Sequence, residues 1–213
     1  MAQSLLDRGF RVRALTRDPQ APKAQALADQ GAEVVQGYMQ DRSAMERVLE
    51  GAYGIFSVQN FWETGYDREV QQGKTVADAT KEAGVQHCVY SSVGSAHRQT
   101  GILHFDSKWE VEEHVRKLDL PYTVLRPVFF MQNWEMMREP VLGGTLAQPL
   151  DPDRPFQHVA VEDVGAFAAI AFEHPDEWIG REVEIAGDEH TMPEIAETFS
   201  RVIGREVRYY QVL

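Results

Sequence analysis

The side chains best suited to chemistry in this sequence are a lysine and a histidine one helical turn apart. His104, Lys108, Val111, Val115 and Leu118 recur in steps of four and three, the spacing that puts side chains on one face of an α-helix. The three apolar residues make that face the buried one, so Lys108 and His104 extend it toward the helix N-terminus. An ammonium there opposes the positive end of the helix dipole and needs a polar partner, unless it snorkels to solvent. His104 can move protons near neutral pH, or it caps the helix or lines a pocket. His87 and Cys88 are neighbours on an expected strand and so face opposite sides. No metal site is expected from them. Glu110, Glu112 and Glu113 are expected to form a solvated helix face.

The elements that must position these groups alternate regularly. Strands are expected near residues 11–15, 33–36, 53–58, 86–90 and 122–125, and helices near 24–30, 41–50, 67–83 and 105–118. Such alternation implies right-handed crossovers and a doubly wound parallel α/β sheet covered on both faces. The pattern loosens after Arg126. Residues 129–138 read as helical, 151–155 as a loop, and a short strand is expected near Val159. Helices at 162–172 and 193–203 and strands at 182–185 and 207–210 follow. The reading is a Rossmann-like domain over residues 1–135 and a small α+β lobe over 136–213.

Ligands of open parallel sheets bind at the carboxyl ends of the strands. Thr16 and Arg17 end the second strand of such a unit, where an adenosine ribose is met. A carboxylate there selects a free 2′-hydroxyl, whereas the forked cation of Arg17 suits a 2′-phosphate. Lys23 is near enough to add charge. Asp18 keeps contact with a 2′-hydroxyl open, and Arg17 could also be a solvated loop residue. Gln59, Asn60 and Phe61 follow the strand that ends at Val58. A ribose or nicotinamide would meet the need of Lys108.

Composition narrows the partners. With 21 basic and 33 acidic residues the net charge is −12, which repels a phosphate backbone and argues against general nucleic-acid binding. The single cysteine excludes an internal disulfide and fits a reducing compartment. No apolar run approaches the ~18 residues of a membrane span, and the start has no signal-peptide pattern. Cytoplasm is the expected compartment.

Four segments in register carry a resemblance: residues 12–19 (VRALTRDP), 31–37 (GAEVVQG), 58–63 (VQNFWE) and 104–113 (HFDSKWEVEE). In these the chain resembles the NmrA-like group of atypical short-chain dehydrogenases, well over residues 2–135 and weakly beyond. The resemblance implies a Rossmann domain with a small C-terminal lobe and binding of NADP(H), with NAD the lesser alternative. It implies that Gln59, Asn60 and Phe61 lie along the cofactor. It also implies that Phe130, Met131, Gln132 and Asn133 lie beside the nicotinamide, although Phe129 and Phe130 also read as plain core. Tyr38 stands where many relatives have Asp, and could stack on adenine. Typical short-chain dehydrogenases carry a Tyr general acid where this chain has His104, which puts ordinary carbonyl reduction in doubt.

The resemblance also places a first strand and glycine-rich loop ahead of residue 2, between the strands near Arg11 and Tyr53. On that expectation these residues alone bind NADPH weakly or not at all, and they aggregate or pair the open edge with another chain, as a homodimer for example. Three readings stay open. One is an NADP(H)-binding redox sensor with a regulatory protein partner. Another is a reductase of a small quinone or aromatic substrate, with Lys108 and His104 as catalytic groups and a pocket of His104, Phe130 and Trp134. The last is a truncated domain that binds no dinucleotide.

Overall fold

The computed structural model describes residues 1–212. The described residues divide into two compact units, residues 1–127 with 164–184 and residues 128–163 with 185–212. The sequence reading placed one boundary after residue 135, but both units are built from two segments each.

In the first unit β1 (Arg13–Thr16) and β2 (Glu33–Gln36) pair in parallel, with Ala14 opposite Val34. The helix α2 (Pro22–Asp29) crosses between them. Proline at its start fixes φ where no backbone donor is needed. A second sheet holds β3 (Gly54–Ser57), β4 (His87–Ser91), β5 (Tyr122–Pro127) and β9 (Glu182–Ile185) in the order β3-β4-β5-β9. The three strands β3, β4 and β5 run parallel. This is the parallel α/β architecture that the alternation predicts. β4 is buried along its whole length, as a central strand covered on both faces should be.

The β1–β2 ribbon and the four-stranded sheet are separate sheets. Leu15, Val35 and Ile55 nonetheless share one apolar cluster with Met45, Val48 and Leu49 of α3 (Arg42–Leu49) and Val76 and Ala79 of α4 (Phe61–Glu82). Asp41 caps α3 by accepting from the backbone of Ser43 and Ala44. On α1 (Ala2–Leu6), Ser4 lies against Gly165 of α7 (Val161–Glu173) so closely that a Cβ there would meet its Oγ at 2.7 Å.

The helix α4 begins six residues before the expected start at residue 67, and Gly65 breaks it with φ 74 and ψ 177. It packs on α5 (Leu103–Lys117) at Gly73, where a Cβ would lie 2.5 Å from a methyl of Val111. The inward face of α5 is as expected: Lys108, Val111 and Val115 are all buried. Glu112 is not solvated as expected but fully buried. Both its oxygens accept from Arg126, at 3.0 and 2.6 Å, and Arg116 adds a third bond. Arg126 reaches it from another element, which a helix-face pattern does not show.

In the second unit residues 129–138 are not one helix. Phe129–Phe130 form β6, paired in parallel with His158 and Val159 of β8 (Phe156–Val159). Met131–Met137 form a 3-10 turn and Arg138–Leu142 the short helix α6. Strand pairing overrides the local helical pattern there. Two strands that the sequence pattern did not announce complete the sheets. They are β10 (Asp188–His190), antiparallel to β8, and β7 (Thr145–Gln148), parallel to β11 (Arg208–Gln211). The helix α8 (Met192–Ile203) opens on a capping box of Thr191 and Glu194. It buries Met192, Ile195 and Ala196 against Leu146 and Val207. Among the described residues no helix is long and apolar enough to cross a membrane.

Candidate functional site

The carboxyl ends of β3 and β4 gather the polar groups of interest. Lys108 Nζ donates to the backbone carbonyl of Gln59 at 2.7 Å and pairs with Glu69 Oε1 at 3.0 Å. Glu69 is fully buried and also accepts from the Ser107 hydroxyl. The partner that Lys108 needs is therefore within the protein. Burial pushes the Lys108 ammonium below its ordinary pKa, and the Glu69 charge opposes that shift. Glu69 was missed from sequence, yet a signal existed. Glu69, Gly73, Val76 and Thr80 recur in steps of four, three and four, which is the buried stripe of α4.

At these strand ends several buried atoms have no partner: Gln59 Oε1, Tyr90 Oη and Ser92 Oγ, and the Tyr90 ring lies 5.8 Å from Lys108 Nζ. Gln59 Nε2 donates to Ser57 Oγ at 3.0 Å, which leaves its oxygen as a free acceptor. Burial first, and then the charges of Glu69 and Glu112, hold the Tyr90 hydroxyl far above its ordinary pKa, so it remains a donor. Native interiors pair almost all buried polar groups, and each orphan costs about 1–3 kcal/mol. Several orphans at two adjacent strand ends suit a polar ligand. Their mix of donors and acceptors fits ribose hydroxyls and a carboxamide. Tyr90 and Ser92, like Glu69, were not singled out from sequence.

His104 sits among aromatic rings, with centroids 5.8 Å from Phe61, 5.1 Å from Trp62 and 4.5 Å from Phe105. Burial lowers its pKa against the pull of the Glu69 charge, so its imidazole is neutral at neutral pH. Asn60 caps α4, its side chain accepting from Trp62 N at 3.1 Å.

At the end of β1, Arg17 Nη2 pairs with Glu63 Oε2 at 2.9 Å, both side chains largely exposed. Gln36 Nε2 donates to the Arg17 carbonyl at 3.3 Å. Thr16 Oγ1 and Asp18 bond one another within the turn, and the Asp18 carboxylate accepts from Gln20 N at 2.9 Å. Lys23 and Tyr38 are exposed. Gln59, Asn60, Phe61, His104 and Lys108 thus come together, and Thr16, Arg17 and Glu63 form a neighbouring group.

Phe130, Met131, Gln132 and Asn133 belong to the second unit. Gln132 bridges the start of α7, accepting from Val161 N at 3.1 Å and donating to Glu162 at 2.8 Å. Phe129 is half-buried and packs on Trp134, Phe156 and His158. Among the described residues no cluster of three or more histidine, cysteine or acidic side chains could hold a metal ion.

The sequence profile of the NmrA-like family matches residues 1–213. The NmrA-like family domain-containing oxidoreductase malD of Malbranchea aurantiaca is 32% identical, over 97% of this chain and 68% of that protein. The crystal structure of NMRA, a negative transcriptional regulator, in complex with NADP is similar with a TM-score of 0.83 and 28% identity. That match covers 100% of this chain and 71% of that one. The NADPH-dependent quinone oxidoreductase QOR2 of Escherichia coli, complexed with NADPH, gives a TM-score of 0.85 at 25% identity, over 99% of this chain and 73% of that one.

Proposed function

This chain belongs to the NmrA-like family, and on that premise we propose that it binds NADP(H) at the ends of β3 and β4 and acts as a redox-sensing regulator. The carrying observation is the set of unpartnered buried atoms on Gln59, Tyr90 and Ser92 at the strand ends where Lys108 is held. Lys108 keeps a third donor for a ribose hydroxyl while Glu69 and the Gln59 carbonyl fix its ammonium. Tyr90 and Ser92 offer hydroxyls, and Gln59 an acceptor, to the same ligand. The dinucleotide, when bound, supplies or accepts a hydride at its nicotinamide. Arg17, with Lys23 near it in sequence, favours the 2′-phosphate, and Tyr38 offers a ring to adenine. The family resemblance, rather than a contact, assigns Phe130, Met131, Gln132 and Asn133 to the nicotinamide.

A regulator fits His104 well. An imidazole held neutral by burial is a poor general acid at neutral pH, and the position lacks the tyrosine hydroxyl of ordinary carbonyl reductases. The output of a regulator is a changed protein contact. A second reading is favoured by one observation: His104 lies among Phe61 and Trp62 one turn from Lys108. That arrangement would receive a flat quinone or aromatic substrate, with His104 and Lys108 as the catalytic groups. Relatives named oxidoreductases agree with it.

Calorimetric titration with NADPH and NADH tests the cofactor assignment. NADPH should bind more tightly, and Arg17→Ala should erase most of the difference, since a charge-assisted hydrogen bond contributes about 1.5–3 kcal/mol. Equal affinities in the unmutated protein would remove the role given to Arg17, and no binding would remove the reading altogether. Oxidation of NADPH in the presence of a panel of quinones separates reductase from regulator.

A further inference from the structure

The cation assigned to the 2′-phosphate already holds an anion. Glu63, paired to Arg17 at 2.9 Å, sits in the first turn of α4, and Gly65 sets that turn apart from the rest of the helix. A φ of 74 with a ψ of 177 is a conformation essentially restricted to glycine. The helix is therefore two rigid pieces joined at a residue with no side chain. Asn60 caps the short piece by accepting from Trp62 N, so the turn holds its own shape. The same turn carries Phe61 and Trp62, whose rings lie 5.8 and 5.1 Å from His104. Trp62 is 78% exposed. One short segment thus touches Arg17 through Glu63 and His104 through its two aromatic rings.

Resting on the reading that NADP(H) binds here, we propose that Glu63 is a latch that reads the 2′-phosphate and so sets cofactor specificity. A phosphate carries more charge than one carboxylate and forms stronger bonds to guanidinium. An exposed ion pair such as Arg17–Glu63 is weak in water. When a 2′-phosphate takes Arg17, Glu63 loses its partner and is repelled by the new anion. The turn of residues 60–64 then moves about Gly65, and Trp62 shifts relative to His104. NAD(H), with a free 2′-hydroxyl, leaves the latch closed. The exposed aromatic surface of this turn therefore differs between the two cofactors, and the contact of a regulatory partner would change with it. Glu63 is also a built-in competitor that weakens NADP(H) binding.

Nucleotide fragments test this on the full chain without turnover. Adenosine 2′,5′-bisphosphate and adenosine 5′-monophosphate are titrated while tryptophan fluorescence is followed, with Trp62→Phe identifying the contribution of Trp62. The bisphosphate should change the Trp62 signal and the monophosphate should not. Glu63→Gln should tighten the bisphosphate about two- to fivefold, the range set by an exposed ion pair. The same variant should leave the monophosphate within about twofold and show the altered Trp62 signal before ligand is added. Unchanged bisphosphate affinity in Glu63→Gln, or equal Trp62 responses to both nucleotides, overturns the latch while NADPH binding stands. If the chain binds neither fragment and no NADPH, the dinucleotide reading itself falls, and the latch with it.

Discussion

The first unit contains two buried clusters of charge that look alike in composition and differ in completeness. One joins Arg126, Glu112, Arg116 and Glu182. Arg126 and Glu112 form a forked pair, Arg116 and Glu182 close the ring of bonds, and the Arg116 guanidinium lies 4.4 Å from the Trp109 ring centroid. Among the described residues no buried nitrogen or oxygen of this cluster lacks a partner. The other joins Lys108, Glu69, Ser107 and Gln59, with orphan atoms on Gln59, Tyr90 and Ser92. A network whose hydrogen bonds all close internally has nothing to offer a ligand. One that leaves donors and acceptors open, at strand ends, does. Satisfaction, rather than charge or burial, separates a structural network from a binding site.

The largest expected effect lies in the closed cluster. Glu112→Ala removes the carboxylate shared by Arg126 and Arg116 and should cost about 3–5 kcal/mol. Urea unfolding should show the loss undiminished by saturating NADPH. A loss under about 1 kcal/mol would mean that the cluster is not the structural half of this comparison.

Lys108→Met comes next. It strands Glu69 with Ser107 alone, so the unliganded protein should lose about 3 kcal/mol, the low end for a broken buried pair. Its NADPH affinity should fall too. Adding Glu69→Gln should restore most of the stability and none of the affinity. Restored affinity in the double variant would show that Lys108 only neutralises Glu69.

Acid titration gives a smaller effect. The hydrogen bond from Arg116, followed by the arginine charges, holds Glu182 at about pKa 2 against the ordinary 4.5. The folded carboxylate binds its proton less tightly than the unfolded one. Its stabilisation is therefore complete above about pH 4.5 and is lost as pH falls toward 2. With its side chain 26% exposed and partly screened, about 2 kcal/mol is at stake. Glu182→Gln should flatten stability across that window. An unaltered slope would assign the acid sensitivity elsewhere.

What the sequence made legible follows from the range of each interaction. Lys108 could be placed on an inward face because helical periodicity is local, and the strands of the parallel sheet could be placed because short apolar runs between helices are local too. Glu112 was misread for the opposite reason: its neighbours in sequence are acidic, and its partner Arg126 arrives from strand β5. Glu69 was legible on counting the stripe from Glu69 to Thr80, which lies inside the expected helix over residues 67–83. A carboxylate on that stripe needs a buried partner, and Lys108 arrives from α5. Residues 129–138 have a helical pattern that loses to pairing with β8, a contact made about 30 residues away in sequence. Arg17 was placed at a strand end by pattern, but its pairing with Glu63 depends on the fold.

The smallest effect discriminates most sharply between the two clusters. Ser92 Oγ is buried and unpartnered, so the unliganded protein bears its desolvation without return. Ser92→Ala removes one small polar atom and leaves little space behind. Stability without ligand should therefore hold or rise, by at most about 1 kcal/mol. If the hydroxyl serves the dinucleotide, the same substitution removes one hydrogen bond of about 0.5–1.5 kcal/mol and weakens NADPH roughly two- to tenfold. No residue of the Arg126–Glu112 cluster can behave this way, because every polar atom there stabilises the free protein. Thermal melts with and without NADPH give both quantities from one sample series. A lowered melting temperature without ligand, combined with unchanged NADPH affinity, would place Ser92 with the structural network and leave the orphan atoms of the strand ends without a ligand to meet.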